Sequence, residues 1–325
     1  MESRRVLGAR LLAASLFFVL PCAWSQAYPS KPIRLIVPDA TGGAPDTLAR
    51  LLSQKLSDRL GQQVVVDNRP GAGGQLGAEI AAKSAPDGYT LLLSTTAVWA
   101  ILPSVKKAMP YDAATAFVPI TRIATASNVL VINPSIAATS VPQLVALAKA
   151  KPGAFTYASA GVATPAHLAG EMLNLLGGTK MTHVAYKGAG PALLDVLAGN
   201  VSMMITSPVA AGAHIRSGKL RALATSGPQR TKAMPDLPTI AEALPGYEIT
   251  QSWGIAAPAG TPADILRRLQ DDITALMGQP DLRERVESMG AVPLTETPQE
   301  FQKFMDAERS RLADVIGKSH IELAN

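Results

Sequence analysis

The stretch "IRLIVPDATGGAPDTLARLLSQKLSDRL", Ile33 to Leu60, decides the fold. Its first five residues form an apolar run that stops at Pro38. Gly42 and Gly43 follow, then Pro45-Asp46, and leucines recur at Leu48, Leu52, Leu56 and Leu60. This order predicts a buried strand, a tight loop and an amphipathic helix. Glycines at a helix start let the backbone approach a ligand closely, with free N–H groups aimed at it.

The same alternation runs outward along the chain. "VVVD", "YTLLLS" and "FVPITRIA" read as strands in the first third, and "VLVIN", "FTYAS", "HVAY", "VSMMIT" and "LRALATS" in the middle third. The last third is mostly helical, with "SWGIAAP" and "AVPL" as its strands. Strands alternating with helices predict an α/β protein with mainly parallel sheets flanked by helices. Helix starts are marked by Ser140 with Gln143, Thr239 with Glu242, Thr261-Pro262 with Asp264, and Thr297-Pro298 with Glu300, all capping arrangements. No repeat, low-complexity segment or long linker interrupts the pattern, so two lobes joined by short crossings are the natural division.

The first 27 residues read as a secretory signal peptide. Arg4, Arg5 and Arg10 accompany an apolar run from Leu11 to Leu20, and Ser25-Gln26-Ala27 offers a small-residue cleavage site, whereas a membrane span needs roughly 20 apolar residues. The "SRRVLG" segment is also compatible with twin-arginine export. Cleavage after Ala27 removes Cys22, the only cysteine, and with it disulfides, thiolate catalysis and cysteine-bound metals. The formal charge is +5 with no basic stripe, which argues against nucleic acid.

The loop that opens the chain's pattern recurs. "YASAGVATPAHLAGEML" (Tyr157–Leu173) and "HVAYKGAGPALLDVLAG" (His183–Gly199) repeat the strand, small-residue loop and helix start, and "MMITSPVAAGAHI" does so more weakly. Each places loop amides and a positive helix end at the C-terminal edge of a strand, where open α/β sheets bind ligands. A hydrogen bond to a charged group contributes roughly 1.5–3 kcal/mol, so a few such amides suffice to hold a carboxylate.

Read in order, "YPSKPIRLIVP", "VVVDNRPGAGG", "DGYTLLLSTT", "YASAG" with "TPAHLAGE", "HVAYKGAGPAL" and "WGIAAPAGTP" resemble the Bug family, the extracytoplasmic solute-binding proteins of tripartite tricarboxylate transporters. The resemblance covers nearly the whole mature chain. It implies a two-lobed, type II-like periplasmic binding fold that closes on a small carboxylate and delivers it to the membrane permease subunits of such a transporter. It implies a periplasmic monomer, neither an enzyme nor a nucleic-acid binder, with no cofactor or metal. Lobe 1 would hold 28–127 plus 226–325 and lobe 2 would hold 128–225, with crossings near Asn128 and Thr225. A ligand sensor for a signalling system would use the same fold.

By motif position the first-lobe contacts would be Thr41, Gly42, Gly43, Asp46 and Thr47, with Ser94 and Thr95 beside them. The second lobe would add Ser159, Gly161, Thr164, Lys187, Gly188 and Ser207. Several have a plainer reading: Asp46 as a first-turn cap, Ser159 and Thr164 as caps, Lys187 as a solvated lysine. The residue after Pro38 is commonly aromatic in that family and here is Asp39. Beside a bound anion Asp39 would have to turn to solvent, be protonated, or meet a donor on the ligand. Thr206-Ser207-Pro208 stands where the family often has an acidic or amide residue, so the usual dicarboxylate ligand is not assured.

A hydrolase or lyase is the competing class. Ser159 in "ASAGV" lacks the first glycine of a nucleophile elbow. His167 and Glu171 share a helix face, but no H-E-x-x-H exists, and His183, His214 and His320 stand in separate segments.

Overall fold

Pro38 ends β1 (Ile33–Val37) and α1 (Ala44–Leu60) buries Leu48, Leu52, Leu56 and Leu60 on one face, so the opening stretch is the βα unit its pattern requires. Gly61, with φ 67°, terminates the helix, a conformation that costs glycine little. The computed structural model describes residues 28–106, 108–231 and 234–319. The signal peptide, its cleavage after Ala27, and His320 lie outside them.

After α1 come β2 (Val64–Asn68), a 3-10 turn at Ala72–Gly74, α2 (Gln75–Ala82), β3 (Thr90–Thr95), a π turn at Ala97–Ile101 and α3 (Leu102–Val105). β4 (Phe117–Ser127) passes through Asn128 directly into β5 (Val129–Ile132). Then follow α4 (Val141–Ala150), β6 (Thr156–Ser159), α5 (Pro165–Gly177), β7 (Thr182–Ala185), α6 (Ala189–Ala198), β8 (Met203–Thr206), α7 (Pro208–Arg216) and β9 (Arg221–Thr225). The last described elements are α8 (Ile240–Ala243), β10 (Thr250–Pro258), α9 (Ala263–Met277), α10 (Pro280–Ser288), β11 (Val292–Pro293) and α11 (Pro298–Ser319).

The strands form two sheets, ordered β11-β4-β10-β3-β1-β2 and β7-β6-β8-β5-β9. The α/β class is the expected one, and most strands of each sheet run the same way, with β10 and β11 reversed in the first sheet and β5 in the second. β1 pairs in parallel with β2 and β3, and β6 with β7 and β8. Every antiparallel pair involves β4, β5, β9 or β10, the strands flanking the passages between sheets. A strand arriving from the other sheet is free of the βαβ crossover that imposes parallel pairing.

The two passages lie side by side. Asn128 N–H donates to Ser226 Oγ at 2.9 Å, and Ser226 N–H donates to the Asn128 carbonyl at 2.8 Å. Each sheet has its own apolar cluster, one around Leu35, Leu52 and Trp253, the other around Val131, Val196 and Met204. A further cluster belongs to both. It joins Trp99–Leu102 after β3 to Leu130 and Ile132 of β5, Leu168 and Leu173 of α5, and Phe301, Leu312 and Ile316 of α11.

Most caps form as the sequence suggests. Ser140 and Thr297 accept from backbone N–H groups three residues on, and Thr239 with Glu242 makes a reciprocal box. Thr261 does not cap α9: its hydroxyl donates to the Pro258 carbonyl at 2.8 Å, and Pro262 stands at the cap position.

Candidate functional site

Between the sheets lies a cavity of about 310 Å³. Its wall includes the starts of α1 (Ala44, Pro45), α5 (Thr164, Pro165), α6 (Gly188, Ala189) and α7 (Ser207), together with the loop Pro70–Gly74. Four helices of nine or more residues thus present their positive ends to one space, an arrangement that favours an anion. Only two lining residues carry charge, Asp39 and Lys187.

Local chemistry explains why these helices begin there. Thr164 caps α5 by accepting from His167 N–H at 3.3 Å, and its hydroxyl donates to the Gly161 carbonyl at 2.7 Å. Ser207 caps α7 by accepting from Val209 N–H at 3.1 Å. Their hydroxyls are therefore spent on helix starts, and both the cap and the lining readings describe them.

Of the residues expected at the site, the structure brings Asp39, Thr95, Gly161, Thr164, Lys187, Gly188 and Ser207 to the cavity wall. It does not bring Thr41, Gly42, Gly43, Asp46, Thr47, Ser94 or Ser159 there. Asp46 is buried and accepts from Gly42 N–H at 3.0 Å and from Arg50 Nε at 2.9 Å. Burial opposes its charge, yet these hydrogen bonds and the guanidinium hold its carboxyl below the usual range. Thr47 Oγ1 donates to the Gly43 carbonyl at 3.0 Å, and Ser94 points to a small separate void beside Trp99.

Asp39 is partly buried in the wall. Oδ1 accepts from Ala40 N–H at 2.7 Å, and among the described residues no hydrogen bond is made to Oδ2, which lies beside Gly43. Burial pushes the carboxyl up to about 6, against the pull of the Ala40 N–H and with some repulsion from Asp46. The wall also holds polar residues that were not expected as contacts, Asn128, Tyr186, Thr206 and Gln251. Asn128 is 1% exposed, and neither its Oδ1 nor its Nδ2 has a hydrogen-bond partner. The hint in the sequence is a polar residue wedged between two apolar strands in "TASNVLVIN".

The two sides touch at glycines. A side-chain Cβ on Gly188 (φ 139°) would lie 2.5 Å from Ala40 Cβ, and one on Gly73 (φ 70°) would lie 2.5 Å from the Val162 carbonyl. The loops making the second contact also carry Ala72 and Ala163 in left-handed conformations, φ 50° and 62°. Non-glycine residues rarely adopt them, and such strain collects at functional sites.

Behind the α5 loop the histidines of separate segments come together. His167 and His183 stack at 3.9 Å, and His183 stacks on Tyr157 at 4.9 Å. Burial drives both histidines neutral, His167 down to about 3 with a further push from His183, and His183 down to about 4. Ser159 Oγ sits 2.6 Å from His183 Nε2, but it is fully buried and also bonded to the Gly161 carbonyl and N–H. A substrate carbonyl cannot reach it, so this pair has the look of a nucleophilic dyad without the access one needs. No group of three or more metal-ligating side chains occurs among the described residues.

Known proteins carry the same architecture. The family profile described as "Tripartite tricarboxylate transporter family receptor" matches residues 48–321. Protein BugT of Bordetella pertussis is 38% identical over 301 residues, 92% of this chain and 92% of that protein. An R. palustris protein solved with adipate is 34% identical with a TM-score of 0.88, covering 90% of this chain and 98% of that one. MatC from Rhodopseudomonas palustris, solved with bound malate, is 29% identical with a TM-score of 0.85, covering 89% and 100%.

Proposed function

The chain belongs to the tripartite tricarboxylate transporter receptor family, and from that premise we propose that it is a periplasmic receptor capturing a small carboxylate-bearing solute. The observation that carries this reading is the cavity between the sheets, with four helix N-termini on its wall. Backbone amides at helix starts stabilise a carboxylate without a paired arginine, and the wall has none. In this reading the solute is bound and released unchanged, and the hydroxyl of Ser159, the serine beside His183, is fully buried.

In this reading the chain is exported, loses its leader after Ala27 and works as a monomer. The first sheet with its helices (28–127 and 226–325) forms one lobe, and 128–225 the other. Closure on the solute presents the closed form to the permease subunits, with the hinge at Asn128 and Ser226. Native mass spectrometry of the purified protein tests the reading. The expected result is one small carboxylate per chain, released on denaturation and rebinding in calorimetry. A protein that carries none, and that binds no member of a panel of short carboxylates, would overturn it.

A further inference from the structure

The cavity wall holds two kinds of unmet group. Helix-start N–H groups and the Lys187 ammonium are donors, and a carboxylate satisfies them. Asp39 Oδ2 and Asn128 Oδ1 are acceptors, and a carboxylate cannot satisfy either. Asn128 is almost fully buried and its amide is unpartnered at both atoms. A buried polar group left in that state is strongly disfavoured, and in native structures it marks a missing partner. Asp39 supplies the second, independent acceptor: its carboxylate lines the same cavity, with Oδ1 engaged by Ala40 and Oδ2 beside Gly43.

We propose that Asp39 and Asn128 are specificity residues that select a monocarboxylate carrying an N–H donor, and reject plain dicarboxylates. The proposal rests on the receptor reading above and names its substrate class. The carboxylate faces the helix starts, while the N–H group faces Asp39, with Asn128 completing the donor's contacts through Oδ1. Asn128 Nδ2 remains available to a solute oxygen, so its amide can serve both ends of a bifunctional molecule. A second carboxylate in place of the N–H group would instead face a like charge and leave both acceptors unmet. Discrimination of this kind is large because the penalty falls on buried groups of the protein, not only on a lost contact.

Three probes of equal chain length separate the possibilities: adipate, its monoamide adipamate, and ε-aminocaproate. Calorimetry of the purified protein near neutral pH should find adipamate or ε-aminocaproate binding at least about tenfold tighter than adipate. Asp39→Asn should weaken ε-aminocaproate by roughly tenfold or more and strengthen adipate. Asn128→Leu, which removes both polar atoms at similar size, should weaken the N–H probes by a larger factor than adipate, which loses only the Nδ2 contact. Tightest binding of adipate to the wild type, or equal shifts for all three probes in Asp39→Asn, overturns the proposal and leaves the receptor reading standing. If none of the three binds, the solute released from the purified protein decides. An N–H-bearing monocarboxylate supports the proposal, a carboxylate without an N–H donor overturns it alone, and no carboxylate at all overturns the receptor reading with it.

Discussion

Asp39 is the residue at which binding and stability pull in opposite directions. Its carboxyl rises from 3.8 to about 6 in the folded chain, chiefly through burial. The folded state therefore holds this proton more tightly than the unfolded one. The resulting stability is fully present below pH about 4 and is lost as pH rises through about 6. Asp39→Asn should make the ligand-free protein more stable near neutral pH by roughly 1–3 kcal/mol, with the difference vanishing below pH about 4. Thermal unfolding of both proteins across that range checks it, and a pH-independent difference would contradict it. The histidine pair has the opposite sign. His167 and His183 fall from 6.5 to about 3 and about 4, so stability is lost as pH drops below 6.5, where the unfolded chain takes up protons first. His183→Gln should flatten that acid-side loss in the same unfolding series, and an unaltered slope would assign it to other groups. Sequence reading reached Asp39 because it stands after Pro38, in a ligand loop, where the family resemblance leads one to expect an aromatic residue. It missed Asn128, since an unpartnered amide is defined by what surrounds it in space. It also separated the histidines, which only the pairing of β6 with β7 and the start of α5 bring together.

At the scale of loops and helices, the recurring strand–loop–helix unit was legible throughout, because leucine spacing, prolines and capping residues all report local geometry. Which glycines matter was not legible. Gly42 (φ 81°) has open space where a Cβ would go, and at Gly43 the nearest atom is the movable Asp39 carboxylate. Gly73 and Gly188 instead meet the opposite side of the cavity, against the Val162 carbonyl and Ala40 Cβ. That distinction depends on a partner loop far away in sequence. It yields a paired experiment at two positive-φ glycines. Gly42→Ala and Gly188→Ala both strain the backbone, the second in an extended region that essentially only glycine enters (φ 139°, ψ 166°), so thermal unfolding of both variants accompanies the binding measurement. Gly188→Ala also props the two sides apart, so its affinity for the native solute should fall more than about tenfold, while Gly42→Ala keeps affinity within roughly threefold. Equal losses in calorimetry would mean that strain, not steric closure, governs the site.

For the whole molecule, the passages and the shared core decide how it can move. Asn128 and Ser226 are hydrogen-bonded neighbours, so the two strands linking the sheets bend at one place. The apolar cluster joining the segment after β3, α5 and α11 ties the sheets together, and Tyr247 Oη donates to the Ala169 carbonyl at 2.9 Å. Prising that cluster apart would expose buried apolar area at about 25 cal/mol per Å². The glycine contacts at the loops, by contrast, are narrow and cost little to separate. Opening should therefore pivot about the passages and the cluster while the loops part, a hinge in the usual sense. The alternation of strands and helices announces two sheets, but not this sharing of a core, because residues 99–102 and 301–316 are locally ordinary and meet only through the fold. Small-angle scattering gives the test. Saturation with a solute that calorimetry shows to bind should reduce the radius of gyration of the wild-type protein. Gly188→Ala, saturated at a higher concentration, should compact less, since Ala40 would stop the loops short of contact. Binding without compaction in the wild type would instead mean that the solute enters a molecule already closed, with the loops alone admitting it.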